Sequence, residues 1–284
     1  MTVNTTETKA RRHARPDAGT TRRPRPEQGR PEQDSPEQDG PEQDGPERAW
    51  HDHRDLPIAG TQPRRSSSAG DMVLAYLRAQ AGALKSLEPM VRADEFDAVH
   101  QMRVATRRLR AGLRSFGQII PRSDSERLAG ELKWLGGLLG AARDGEVLPA
   151  HLQASLRPTP AELLIGPVQA RVRGHFAPLR AAARADLLEA LDSPRYTGLL
   201  ASLDQLAAGP LPGPQANDPA RDVLPAAVRK AYRQADKRMR RARHAPPSQN
   251  RDVALHEARK SARRARYAAE AASPAIGKKA TRSR

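Results

Sequence analysis

The sequence predicts an all-α fold made of two pseudo-symmetric antiparallel helical bundles, the second incomplete, behind a disordered N-terminal tail. From Asp71 onward, Ala, Leu and Arg dominate, and apolar residues recur at three- and four-residue spacing, which is typical of amphipathic helices. No alternating pattern typical of β-strands occurs there. A segment rich in Pro and Gly, LPGPQANDP at 211–219, divides the helical region in two. The predicted organisation is a tail over 1–70, a first half over 71–208, a linker over 209–217 and a second half over 218–284.

The tail is predicted to be disordered because it repeats a short polar motif that breaks helices and strands. PEQGR at 26–30 is followed by PEQDS, by two copies of PEQDG and by PER at 46–48. Proline at every fifth position among polar residues provides no apolar face to bury. The two histidines of HDHRD at 51–55 are interpreted as part of this linker rather than as metal ligands, because no folded shell holds a coordination geometry there.

Eight helices are predicted after the tail. Asp71, Ser123 or Asp124, and Thr159 before Pro160 mark helix starts, while Gly209-Pro210 and APP at 245–247 mark breaks. The predicted helices span 71–88, 94–119, 124–140, 144–156, 160–191, 194–207, 218–243 and 249–272.

The positive charge of the chain lies in the helical region. The formal net charge is +16, and residues 1–70 hold 12 basic and 12 acidic groups, so the whole excess belongs to 71–284. A folded region with this bias attracts polyanions. The absence of cysteine excludes disulfide scaffolds, cysteine zinc sites and thiol catalysis. Neither a membrane span nor a secretory signal is recognisable, so the sequence predicts a cytosolic protein.

Two segments of the helical region read alike. HQMRVATRRLR begins at His100 and HEARKSARRAR begins at His256, and the His and four Arg coincide at offsets 0, 3, 7, 8 and 10. This agreement predicts an internal duplication. On a helical wheel of ~100° per residue, the cations of each copy form one stripe and the apolar residues form another face. The predicted packing residues are Met102, Ala105, Leu109, Leu113 and Phe116 in the first copy, and Ala258, Ala262, Ala265 and Ala269 in the second.

The stripes contain no acidic residue before Glu270, which lies one turn after Arg266. Like charges at this spacing destabilise a helix by a few tenths of a kcal/mol per pair, so an external anion would stabilise it. The alternative is an ordinary solvated helix face. Each histidine is open to two interpretations, as a core hydrogen-bonding group or as a phosphate donor.

Three segments resemble the CHAD family, the conserved histidine α-helical domain. They are HQMRVATRRLRAGLRSF at 100–116, ELKWLGGLLGAARDGEVL at 131–148 and LHEARKSARRARYAAEA at 255–271. The resemblance covers about 71–277 and implies two four-helix bundles around a basic cleft that binds inorganic polyphosphate, with association to polyphosphate granules. It implicates the following residues in binding: His100, Arg103, Arg107, Arg108, Arg110, Lys133, Arg143, His256, Arg259, Lys260, Arg263, Arg264 and Arg266. The helical wheel adds Arg114 to the stripe of the first copy, so it is predicted as a ligand as well.

Further predictions concern neighbouring residues. Arg143 is followed by Asp144, and an ion pair within the fold is the alternative role there. A second tier of ligands is predicted on the helix over 218–243, at Arg229, Arg233 and Lys237.

The sequence departs from the family pattern after the second motif. Only 273–284 follow it, without a counterpart of ELKWLGGLLGAARD. The second bundle is therefore expected to be incomplete, with partly exposed apolar faces that a homo-oligomer would cover.

Catalytic and cofactor-binding signatures are absent, so the sequence argues against an enzyme and predicts neither a metal nor a cofactor. The predicted function is non-catalytic binding of inorganic polyphosphate. Non-specific binding of DNA or RNA is the main alternative, because phosphates supply its affinity too, although only Tyr267 lies near a stripe as a stacking platform. A scaffold that recruits partners through its tail is the third interpretation.

Overall fold

The computed structural model describes residues 67–246 and 249–276, and within these ranges the chain forms seven α-helices and no strand. This confirms the predicted all-α class. The predictions for the tail, including its repeats and the HDHRD segment, lie outside the described residues. The helices are α1 (Ala69–Arg92), α2 (Ala98–Ser115), α3 (Arg122–Leu156), α4 (Val168–Asp192), α5 (Pro194–Ala208), α6 (Ala220–His244) and α7 (Gln249–Ile276).

One helix, α3, replaces the two predicted over 124–140 and 144–156, so the predicted break between them is wrong. Gly145 lies inside α3 and permits a close contact with α4, because a Cβ atom added to it would lie 3.1 Å from the Cα atom of Arg180. The predicted start of the next helix at 160 is also wrong. A short 3-10 turn at Ala161–Leu163 and a left-handed Gly166, with φ of +80°, precede α4.

Serine side chains cap two of the helices. The backbone N–H of Asp71 donates to the Ser68 hydroxyl at 3.1 Å, so α1 begins before the predicted start, and Asp71 lies in its first turn. Ser193 accepts a bond of 3.2 Å from the N–H of Tyr196 in the same way at the start of α5. Each cap satisfies a backbone donor that the first helical turn leaves without a partner.

The turn between α1 and α2 is held by arginines of α3 and α4. Asp94 and Asp97 adopt left-handed backbone conformations, with φ of 57° and 61°, which aspartate tolerates better than most residues. Asp94 accepts hydrogen bonds from Arg184 at 2.9 Å and Arg180 at 3.2 Å. Arg143 of α3 lies 3.5 Å from the Asp97 carboxylate. These contacts fix the point at which α2 begins.

The core is continuous between the two halves. Helices α1, α2, α3 and α5 supply its large side chains, and a run of alanines at the end of α7 packs against them. Helices α6 and α7 form an antiparallel pair that lies on α1 and α2. Three large apolar side chains of this pair, Tyr232, Val253 and Leu255, are exposed.

The segment predicted as a linker is fitted to the first half. The N–H of Gly213 donates to the carbonyl oxygen of Ile119 at 3.0 Å, and the N–H of Gln215 donates to that of Gln118 at 3.0 Å. A Cβ atom at position 213 would lie 2.3 Å from the Ile119 backbone, so only glycine permits this approach. Leu211 in the same segment is buried. The connection therefore fixes where α6 begins.

Helices α1 and α6 begin side by side. The N–H of Ala69 donates to the carbonyl of Asp218 at 2.8 Å, and the N–H of Ala220 donates to that of Ser67 at 3.1 Å. The two bonds form an antiparallel bridge between Ser68 and Pro219, in which each segment donates to and accepts from the other. Helix α6 therefore begins beside α1. The predicted duplication would make α6 and α7 the counterparts of α1 and α2.

Candidate anion-binding surface

Charge is distributed unevenly among the helices. Helix α2 holds five Arg and no acidic residue, α6 holds nine basic residues against two acidic ones, and α7 holds six against three. In contrast, α3 holds four basic residues against five acidic ones, and α4 holds four against three. The excess positive charge of the described region therefore lies on α2, α6 and α7.

Helix α2 buries the face that the sequence predicts. The five predicted packing residues of the first copy are at most 2% exposed. Four of the predicted ligands lie toward solvent: His100, Arg107 and Arg110 are half-buried, and Arg114 is exposed.

Arg103 is an exception, because it is only 9% exposed. A Cβ atom at Gly140 of α3 would lie 3.5 Å from its guanidinium, so this side chain lies between α2 and α3. The predicted separation of the core face from the stripe is thus incomplete at this position. The glycine makes room for the Arg103 side chain.

Helix α7 buries Ala258, Ala265 and Ala269, as predicted, but Ala262 is exposed, and that part of the prediction is wrong. The physical reason is that α7 contacts α1 and α2 as well as α6. Its buried face is therefore turned toward Ser261 and Tyr267 and away from Ala262. Among the predicted cations of α7, Arg259, Arg263 and Arg264 are half-buried and Arg266 is exposed.

Helices α2 and α7 meet at an ion pair between Arg108 and Glu270. Arg108 Nε lies 2.9 Å from Glu270 Oε1, with the two side chains 23% and 35% exposed. The guanidinium groups of Arg108 and Arg266 lie 5.9 Å and 5.1 Å from the ring centroid of Tyr267. Burial raises the pKa of the nearby Tyr76 hydroxyl well above its usual range, and the Glu270 charge raises it further. Where the stripes of α2 and α7 meet, the fold thus supplies a carboxylate, that of Glu270.

Two more predicted ligands also have carboxylate partners. Lys260 Nζ lies 2.5 Å from Glu257, and the Lys260 side chain is only 10% exposed. Arg143 makes ion pairs within the fold, at 2.9 Å to Glu146 and 3.5 Å to Asp97. Sequence reasoning missed these acids, although Glu257 and Glu146 lie three residues from their partners, a spacing at which helical side chains meet.

The remaining predicted ligands are a histidine of α7 and exposed cations of α3 and α6. His256 is half-buried, and its Nε2 atom is buried without a hydrogen-bond partner in the described part of the chain. Lys133 is exposed on α3. Arg229, Arg233 and Lys237 are exposed on α6, on the side of the helix opposite its buried residues Leu224, Val228 and Ala235.

The all-α fold and the repeated basic motif are accompanied by a match to a known protein family. Residues 75–284 match the model of the CHAD domain, which is most of the chain. The chain belongs to the CHAD family.

Two curated relatives, both uncharacterized proteins of Mycobacterium tuberculosis, strains CDC 1551 / Oshkosh and H37Rv, share the CHAD region. Each is 36% identical to this chain over 213 residues, which cover 75% of the chain and 41% of the relative. The chain thus spans about two-fifths of the length of the relatives that it matches.

Solved structures share the CHAD fold. The crystal structure of the CHAD domain from the plant Ricinus communis matches with a TM-score of 0.55 and 26% identity, over 77% of this chain and 70% of that one. PptA from Streptomyces chartreusis matches with a TM-score of 0.63 over 73% of this chain and 76% of that one. Its identity of 23% makes this a likeness of fold.

Other kinds of site are not prominent in this CHAD domain. A cavity of about 190 Å³ beside Arg266 and Glu270 is lined also by Tyr232, Ala269 and Ser273. The described residues contain no cluster of three or more His, Cys, Asp or Glu that could hold a metal ion. Nor is any described helix both long enough and apolar enough to cross a membrane.

Proposed function

We propose that this protein is a non-catalytic binding module for inorganic polyphosphate, which it holds along α2 and α7. The observation that carries the proposal is the concentration of charge on α2, which has five Arg and no acidic residue and contacts α7, the helix that bears the repeated stripe. Arginine is suited to phosphate because its planar guanidinium presents paired donors to two oxygens. We further propose a cytoplasmic location at polyphosphate granules, as the family resemblance implies.

Three of the predicted ligands have carboxylate partners within the fold. Arg108, Arg143 and Lys260 already pair with carboxylates of the fold, and a phosphate chain would have to compete with these pairs. Helix α2, which bears Arg107, Arg110 and Arg114, has five Arg and no acidic residue. We therefore propose that this helix provides the larger part of the binding surface.

A thin, flexible polyanion fits this surface better than a nucleic acid does. Proteins that bind single strands combine positive charge with aromatic side chains on which bases stack. Helix α2 contains no aromatic residue, and Tyr267 of α7 is only 2% exposed. Its ring is covered by Arg108 and Arg266. Phosphate contacts are available along the stripes of α2 and α7, whereas neither of these helices presents an exposed aromatic ring for base stacking.

Competition tests the proposal directly. Protein bound to labelled long-chain polyphosphate is challenged with duplex DNA or single-stranded RNA at equal phosphate concentration in about 150 mM salt, where exposed charges are screened beyond about 8 Å. We expect neither nucleic acid to displace the polyphosphate. Displacement on equal terms would identify α2 and α7 as a general anion-binding surface, in line with the nucleic-acid alternative.

A pair of charge reversals locates the binding surface. We expect Arg107→Glu with Arg110→Glu to lower polyphosphate affinity at least tenfold, because two cations of the α2 stripe become anions. The matched control is Arg171→Glu with Arg173→Glu, which makes the same charge change at exposed positions of α4, a helix that packs on α3 and α5. Equal losses in the two variants would indicate diffuse attraction by the net charge instead of a defined surface.

A further inference from the structure

We infer that the acidic segment 39–47 of the N-terminal tail docks on a row of exposed cations along α6. The chain itself then supplies the anion for this surface. The inference concerns a contact within one chain and does not depend on the proposed function.

Four cations at four-residue intervals form a row on the solvent side of α6. This α6 row consists of Arg229, Arg233, Lys237 and Arg241, all of which are exposed. None of the four makes an ion pair with another described residue, whereas the neighbouring Arg240 pairs with Asp236. Like charges at this spacing repel one another, so an anion laid along the row would stabilise the helix.

The tail contains a segment of complementary charge. Residues 31–47 hold seven carboxylates and no cation, and the part closest in sequence to α1, 39–47, holds four of them. Helix α6 has nine basic residues and two acidic ones, so four carboxylates would offset more than half of its net charge. The α6 row is about 18 Å long at 1.5 Å per residue. Nine residues of chain span at most about 30 Å, so the segment is long enough to cover the whole row.

The tail joins the helical domain at the start of α6. Ser68 and Pro219 form an antiparallel bridge, and the N–H of Ala220 donates to the carbonyl oxygen of Ser67 at 3.1 Å. From that point, the α6 row extends from about 14 Å to about 32 Å along the helix. The 20 residues of 48–67 span at most about 70 Å, so the segment can reach every cation of the row. Tethering also gives it a local concentration on the order of millimolar, so ion pairs that are weak one by one are sufficient.

A spin label tests the contact in the full chain. Because the sequence has no cysteine, Gln43→Cys provides a single site for a nitroxide in the middle of the segment. In about 10 mM salt, the amide NMR signals of 229–241 should lose at least about half of their intensity relative to the reduced label, because a segment at millimolar local concentration is bound most of the time. In about 1 M salt, where the Debye length is about 3 Å, the loss should disappear.

Charge variants separate docking on α6 from general attraction by the domain. Arg229→Glu with Arg233→Glu should abolish the loss of intensity. The matched control, Arg171→Glu with Arg173→Glu, makes the same change in net charge at exposed positions of α4 and should preserve it. Neutralisation of the segment should also abolish the loss. This variant carries Asp39→Asn, Glu42→Gln, Asp44→Asn and Glu47→Gln.

Two results would overturn the inference. One is the absence of any loss of intensity in 229–241 at low salt, and the other is a loss that survives reversal of the α6 row. A mixed sample distinguishes one chain from two, since it combines spin-labelled chains with isotope-labelled chains that carry no spin label. A loss of intensity in that mixture would show that the segment of a second copy binds α6, which also contradicts docking within one chain.

Discussion

The hydroxyl groups of two buried tyrosines are expected to differ in their effect on stability, because only one of them has a hydrogen-bond partner. The Tyr196 hydroxyl donates to Glu88 at 3.1 Å, whereas the Tyr76 hydroxyl is buried without a hydrogen-bond partner in the described region. We expect Tyr196→Phe to lower the free energy of unfolding by about 1–3 kcal/mol, because it removes a bond to a charged acceptor. Tyr76→Phe should leave it unchanged or raise it by up to about 1 kcal/mol, because a desolvated polar group is removed. Denaturant unfolding at pH 7 measures both values.

The same tyrosines predict a response to alkaline pH. Burial raises the pKa of each hydroxyl above that of an exposed tyrosine, about 10. Between pH 10 and the folded-state pKa, the unfolded chain loses the hydroxyl proton and the folded chain keeps it. The free energy of unfolding is therefore unaffected by these groups below pH 10 and falls as the pH rises toward the folded-state pKa. Tyr76→Phe should make the decline of stability above pH 10 less steep. An unchanged decline would contradict the burial of this hydroxyl.

Glu270 is expected to weaken polyphosphate binding in the wild-type protein. Its carboxylate neutralises Arg108 at the contact of α2 and α7. We expect Glu270→Gln to tighten polyphosphate binding about two- to fivefold, the range for one partly exposed ion pair. The control, Glu131→Gln, removes a carboxylate that pairs with Arg195 between α3 and α5. Weaker binding in Glu270→Gln than in this control would mean that the pair serves mainly to hold α7 in place.

At the scale of a helix, the glycines of α3 have different roles. A Cβ atom at Gly145 would lie 3.1 Å from the Arg180 backbone, whereas one at Gly137 would meet nothing within 4 Å. Alanine favours a helix over glycine by about 1 kcal/mol. We therefore expect Gly137→Ala to raise the free energy of unfolding by about 0.5–1 kcal/mol. Gly145→Ala should lower it, because α4 must move away. Equal gains in thermal or denaturant unfolding would show that the close approach of α3 and α4 is not required.

The helices differ in how well the sequence predicts them. Helix α2 buries every packing residue that its periodicity indicates. On α7, spacing alone gave the wrong environment for Ala262, because the face that packs on the other helices is turned toward Ser261 and Tyr267. The break predicted between 140 and 144 was wrong because the helix continues through Gly140, which packs close to Arg103 of α2, a neighbour that the local sequence does not reveal.

The same distinction applies to the candidate site. The motif was sufficient to propose the cations and their repeat. It did not indicate that Arg103 is buried against Gly140 or that Glu270 lies opposite Arg108, since residues distant in sequence supply those neighbours. Local spacing did contain the partners of Lys260 and Arg143, at i−3 and i+3.

At the scale of the whole molecule, the concentration of charge on a few helices predicts a strong dependence of binding on salt. If polyphosphate neutralises about 6–8 cations, the logarithm of the binding constant should fall against the logarithm of salt concentration with a slope of about −4 to −6, by analogy with single-stranded nucleic acids. Titrations between about 50 and 300 mM salt measure this slope. A slope near −1 would be incompatible with a phosphate chain that follows both helices.

The hydrogen bonds at the starts of α1 and α6 also bear on how the two halves are joined. Each segment both donates to and accepts from the other, as in any antiparallel bridge. The bridge ties the first helix of one half to the first helix of the other, although α2 to α5 lie between them in the chain. A cut in the connection between α5 and α6 would therefore leave two pieces that are still hydrogen-bonded to each other at their helix starts.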